Sequence, residues 1–276
     1  MNLPGITIRL SKTLRTGIRF LCVVHFLLLP MKTAVYAEVT GMVNPESGTV
    51  YRDGLQLFDE GKYSQALEQF QKAYELDTRN SSALFAHGLC LYRMKHYKEA
   101  AVKFEQVLAG DPKNEKALKM FPSALAGSGE YEKAVAAYDR GIETLPENYF
   151  FYLGKAKAYM ALQKNEEAVP VLARAIELEP QRTELYVTLA DVYHALGRME
   201  EAYKAAQKIL EKNKNHAQAR VIAADFKRLS GKLEEALEDY MVAAQNIETK
   251  AYAEHFIEVI NQKLEEIEIE KEYEAR

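Results

Sequence analysis

Six alanines stand 34 residues apart along the chain: Ala66, Ala100, Ala134, Ala168, Ala202 and Ala236. A fixed period of this length is the signature of a stack of near-identical units rather than of one globular core. Such a stack presents a long surface to partners and usually has no catalytic cleft. Other positions keep the same phase. Five residues before each alanine stand Gly61, Lys95, Gly129, Gln163, Gly197 and Gly231. Four residues after it stand Phe70, Phe104, Tyr138, Leu172, Ala206 and Tyr240. The spacing never slips, so no insertion separates the units.

Each window reads as two helices joined by a tight turn. In the first, Tyr63, Ala66, Leu67, Phe70, Ala73 and Tyr74 recur at three- and four-residue steps, the spacing of one helix face. Glycine ahead of the second helix suits a turn that a side chain hinders. Asp111-Pro112, Leu145-Pro146 and Glu179-Pro180 predict the ends of three second helices, because proline cannot continue a helix interior. No alternating apolar and polar run is long enough to predict a sheet.

With these residues in place the chain resembles the tetratricopeptide-repeat family over about Ser47 to Lys250. Six windows follow one another, 47–80, 81–114, 115–148, 149–182, 183–216 and 217–250. The family's small residue at the eighth place is Gly54, Gly88, Pro122, Ala156, Ala190 or Ala224. Three places on stand Leu57, Leu91, Leu125, Tyr159, Tyr193 and Lys227. The family's usual tryptophan is replaced by Val50, Leu84, Leu118, Tyr152, Tyr186 and Arg220. The last window departs most, since Arg220 and Lys227 occupy apolar places. Pro122 falls inside a first helix, where an unrelieved kink costs about 3 kcal/mol. The resemblance implies an all-α fold: a right-handed α-solenoid of six helix-turn-helix repeats. Residues 251–276 read as one more helix, with Tyr252, Phe256, Ile260, Leu264 and Ile267 at helical steps to cover the last repeat. An acidic tail follows from Glu265.

Residues 1–37 differ from the rest. They hold Arg9, Lys12, Arg15, Arg19 and Lys32, no acidic residue, and an apolar run from Phe20 to Leu29. Ala34-Val35-Tyr36-Ala37 then places small residues for a processing protease. This is the layout of a secretory signal peptide. The run is far shorter than the roughly 20 residues that span a bilayer. The expectation is an exported chain, periplasmic if the cell is Gram-negative and otherwise secreted or lumenal, with residues 38–46 as a linker. An organelle address or an uncleaved anchor is the alternative. Taking the segment's +5 from the whole chain's −4 leaves −9. That charge disfavours nucleic acid and anionic membranes, which need clustered lysine and arginine. One cysteine, Cys90, then remains, too few for an internal disulfide or a redox pair. It reads as a small buried hydrophobe.

No catalytic arrangement stands out. His87, His96, His194, His216 and His255 are scattered, without the paired spacing of a zinc hydrolase. The carboxylate pairs Glu166-Glu167, Glu200-Glu201 and Glu234-Glu235 fall in the first turns of second helices, where they offset the helix dipole. The reading is a chain that is not an enzyme, without cofactor or metal. The rival is an accessory subunit or platform of an envelope enzyme or of a glycan or polymer export complex, with Asp191 and His194 as its candidate pair.

In the family the first helices line a concave side, and by resemblance the second, fifth, ninth and twelfth places of each window face it. The candidate partner-binding residues are Tyr51, Leu55, Phe58, Phe85, Leu89 and Tyr92 at an aromatic amino-terminal end. Lys116, Lys119 and Lys157 follow in a basic middle, then Asp191, His194 and Asp225. The expected partner is another protein, as an extended peptide or a helix. The chaperone-binding clamp of the family is absent as a set, since only Lys119 matches it.

Overall fold

The structure, a computed structural model, describes residues 44–276; the processing segment of 1–37 and the start of the linker lie outside the described residues. Among the described residues every regular element is a helix. They divide into two compact units, each described by itself. The first holds two hairpins: α1 (Pro45–Asp59) with α2 (Tyr63–Leu76), and α3 (Ser81–Arg93) with α4 (Tyr97–Gly110). The second begins at Lys113. It pairs α5 (Glu115–Gly127) with α6 (Tyr131–Thr144), α7 (Tyr149–Ala161) with α8 (Asn165–Leu178), and α9 (Thr183–Ala195) with α10 (Met199–Lys212). Then come α11 (Ala217–Leu229) with α12 (Leu233–Ala243), and finally α13 (Lys250–Glu274).

The period is a packing requirement. All six alanines are fully buried. The glycine at the eighth place lets the ring of the same hairpin press against the first helix. A methyl group built on Gly54 would lie 2.7 Å from the Phe70 ring, and one on Gly88 would lie 2.9 Å from Phe104. Phe70 and Phe104 are buried completely. Cys90 is free and buried, as its position implied, and burial pushes its thiol up to about 12. His87, one turn away, is also buried, and burial with Lys103 nearby pulls it down to about 4.

Helix ends follow local chemistry. Asn80, Asn114 and Asn148, again 34 apart, cap α3, α5 and α7 by accepting from the N–H of Ala83, Ala117 and Phe150 at 2.9, 3.1 and 3.2 Å. The aspartate or glutamate–proline and leucine–proline pairs stand just past α4, α6 and α8. Tyr152 and Tyr186, in the place of the family's tryptophan, donate to the carbonyls of Pro146 and Pro180 at 2.9 and 3.0 Å. Pro122 sits inside α5 without ending it, and Ser123 Oγ donates to the Lys119 carbonyl beside it at 2.8 Å. Glu166-Glu167, Glu200-Glu201 and Glu234-Glu235 occupy first turns of α8, α10 and α12.

Each hairpin turn needs one left-handed residue. Gly61, Gly129, Gly197 and Gly231 supply it, with φ between 70° and 82°. Lys95 and Gln163 do the same at 64° and 59° despite their side chains. A side chain there costs about 1–2 kcal/mol. Lys95→Gly is therefore expected to raise stability by about 1 kcal/mol in chemical denaturation, and Gly129→Ala to lower it by a similar amount. A loss on Lys95→Gly would show that the lysine side chain itself holds the turn.

The departures of the last window also have a cause. Arg220 and Lys227 converge on Asp239, which is 1% exposed. Arg220 Nη1 bonds Asp239 Oδ1, and Lys227 Nζ lies 2.9 Å from Oδ2. Three unusual residues thus explain one another. Asp239→Ala strands two cations that keep only partial water contact, at a cost of about 3 kcal/mol. Installing the residues of the preceding window together, Arg220→Tyr, Lys227→Tyr and Asp239→Ala, is expected to recover most of that loss in the same unfolding assay.

Candidate functional site

In the first unit the six sequence-predicted residues lie on α1 and α3. Leu55 is 38% exposed, and Tyr51, Phe58, Phe85, Leu89 and Tyr92 are half-buried. None carries a charge. The rings are fastened from below. Tyr51 tilts on Phe70 with centroids 5.5 Å apart, and Phe85 on Phe104 at 5.3 Å. Phe58 meets Tyr63 edge-on at 5.1 Å, and Tyr92 meets Tyr97 in the same way at 5.1 Å. Such pairs add about 0.5–1.5 kcal/mol beyond area burial. The rings therefore do two things: they seal each hairpin and leave one edge to solvent. Burial raises the phenols of Tyr51 and Tyr92, which stay neutral at ordinary pH.

In the second unit the first helices α5, α7, α9 and α11 stand side by side. Lys116 is exposed and Lys119 half-buried on α5. Lys157 is exposed on α7 but pairs with Glu184 of α9 at 2.7 Å, so the basic middle is partly neutralised. Asp191 and His194 sit one turn apart on α9. Burial raises the Asp191 carboxyl, against the pull of His194, Gln218 and His216.

Asp225 is different from the other predicted residues. It is 1% exposed, so it is unavailable to a partner and leaves the lining set. It gathers four helices instead. Tyr240 of α12 donates to Oδ1 at 2.5 Å, and Tyr252 of α13 donates at 3.0 and 3.1 Å. His194 Nε2 of α9 lies 3.4 Å away and Arg228 of α11 at 3.6 Å. Arg228 also donates to Tyr240 at 3.2 Å and lies 4.3 Å over the Phe256 ring. Tyr240, Tyr252 and Arg228 complete a junction that periodicity alone did not point to.

The junction has a pH window. Burial opposes the charge on Asp225, but hydrogen bonds from His194, Tyr240 and Tyr252, with Arg228 beside them, outweigh it and lower its pKa. His194 is raised, first by its hydrogen bond to Asp225 and further by the charges of Asp225 and Asp191, against burial. The lowered carboxyl contributes stability above its unfolded value of about 3.9, and loses it as pH falls through the folded value. The raised imidazole contributes fully below about 6.5 and loses it as pH rises through the folded value. The junction is strongest between these limits. His194 is 44% exposed, so solvent screens its share. The melting temperature of the wild type relative to His194→Gln is expected to rise as pH falls from about 8 to 6. A constant difference would remove the ion pair from the account.

Family models agree with this architecture. A tetratricopeptide-repeat model matches residues 159–225, a second one matches 120–183, and the model of anaphase-promoting complex subunit 3 matches 41–106. The chain belongs to the tetratricopeptide-repeat family. Solved structures share the fold. MamA residues 41–end from Desulfovibrio magneticus RS-1 is 16% identical, with a TM-score of 0.59, over 63% of this chain and 98% of that one. YrrB, described as a TPR protein with an unusual peptide-binding site, is 20% identical, with a TM-score of 0.56, over 67% of this chain and 96% of that one. No curated protein matches the sequence.

Proposed function

We propose that the chain is a non-catalytic protein-interaction scaffold that holds an extended peptide or a helix of another protein along its first helices. One observation carries this reading. Tyr51, Leu55, Phe58, Phe85, Leu89 and Tyr92, none of them charged, lie on two first helices of one unit and all keep some exposure, with the Arg93 guanidinium 6.0 Å over the Phe58 ring. Apolar surface left open in this way marks interaction sites. Rings held by neighbouring rings lose little freedom on binding, which favours affinity. Repeats of this family act as interaction scaffolds, and the peptide-binding site named for YrrB is in keeping with that role.

The place of action we propose is outside the cytoplasm, in envelope assembly or secretion. Support comes from the basic start, the apolar run of Phe20 to Leu29 and the small residues before Glu38. No helix among the described residues is long and apolar enough to cross a membrane.

A photo-reactive residue in place of Leu55 tests the binding face, with one in place of Val102 on α4 as the control. Val102 is 51% exposed. The expected outcome is crosslinking from Leu55 to one short stretch of one partner, mapped by mass spectrometry, with little from Val102. Equal yields from both would remove the ring-lined face from consideration. Amino-terminal sequencing of the same purified protein is expected to begin near Glu38. An intact amino terminus would overturn export while leaving the binding face in place.

A further inference from the structure

The final helix is longer than the stack requires. α13 has 25 residues, against 13 for α11, whose place it continues. Ala253, Phe256, Ile260 and Leu264 turn toward α11 and α12 and pack there. Glu254, Glu258 and Asn261 fall at the fourth, eighth and eleventh places, where earlier windows carry the residues that meet their own second helix. Here all three are polar and exposed, so the array stops.

A third face remains. The large hydrophobic residues of α13 left exposed are Tyr252, Val259, Ile269 and Tyr273, at 42%, 40%, 55% and 74%. At about 100° per residue they fall within an arc of roughly 100°, which also holds the exposed His255, Gln262 and Glu266. Tyr252 and Val259 hold the second and ninth places, which continue the first-helix face. Ile269 and Tyr273 lie in the last eleven residues, which carry that face about 16 Å further. Tyr252 also serves the cap, through its ring contacts with Tyr240 and Phe256. The Tyr252 hydroxyl is pinned by Asp225, so the near end of the stripe is preset.

Charge selects the occupant. Residues 265–274 contain six glutamates and one lysine. A second copy would set this acidic helix against itself, and anionic lipid or nucleic acid would be repelled. Cationic side chains beside an apolar stripe fit it, and α13 offers no open backbone hydrogen bonds to an extended strand. We propose that this face of α13 docks one amphipathic helix of another protein, apolar on one side and flanked by lysine or arginine. This surface lies on residues other than the ring-lined face of α1 and α3, and either can fail without the other.

The test uses the full chain and a fluorescent synthetic peptide of about 20 residues, with leucines at i, i+3, i+4 and i+7 and lysines elsewhere. Two controls are a scrambled peptide of the same composition and a version with glutamate for lysine. Fluorescence anisotropy is expected to show binding of the amphipathic lysine peptide alone, weakening as salt rises. Ile269→Ser with Tyr273→Ser is expected to weaken it about tenfold or more. Glu254→Gln, on the outer face, is expected to leave it within about twofold. Circular dichroism confirms that helix content persists in each variant. Equal binding of the scrambled peptide would overturn the proposal, since charge alone would then explain it. So would binding unchanged in the double variant. A dimer of the free chain that dissolves in the double variant would assign the face to a second copy instead.

Discussion

Everything in this molecule depends on how closely the two helices of one hairpin approach. The buried alanines and the small residue at the eighth place set that distance. At Gly54 the Phe70 ring lies where a side chain would begin. Dense packing of this kind tolerates little change in volume, so each hairpin repeats the geometry of the last. A constant hairpin then places the same positions of successive first helices on the same side. The ring-lined face is a consequence of the core, not an addition to it. Its rings are half-buried because each is also part of a seal, as Tyr51 on Phe70 and Phe58 on Tyr63 show.

The last window uses different physics. Where its predecessors bury apolar side chains, it buries Asp225 and Asp239 and surrounds them with partners. Buried charge is costly unless it is paired and hydrogen-bonded. Asp225 meets that condition in full; Asp239 is paired with Arg220 and Lys227, but its Oδ2 makes no hydrogen bond. The Asp225 junction draws α9, α11, α12 and α13 to one point. An apolar interface would hold α13 with less angular definition than hydrogen bonds to a single carboxylate. The terminal helix is thereby fixed in direction as well as covered, with its remaining face turned outward.

Much of the fold was legible in the sequence. The 34-residue phase, the helical spacing of Tyr63 to Tyr74 and the turn glycines each rest on contacts local in the chain. Other features were present but unread. Asn80, Asn114 and Asn148 keep the same period and cap three first helices. Lys95 and Gln163 hold the left-handed turn position because the helices on either side dictate it, whatever residue stands there. The candidate face was legible as a set of positions, but not in its degree of exposure. Lys157 lies on a first helix, as its place in the window implied, yet its charge is shared with Glu184 of the next hairpin.

By itself, then, the sequence determined that this chain is a run of helical hairpins and which positions share a side. A period needs only local spacing repeated, and the residues record it directly. Tertiary structure decided which of those positions meet solvent. Asp191 and Asp225 occupy equivalent places 34 residues apart, yet the second is sealed by tyrosines from two later helices. It also decided that Arg220 and Lys227, misfits in their window, answer a carboxylate twelve and more residues away. Burial and pairing depend on groups distant in the chain that the fold brings together, and no local pattern carries that information.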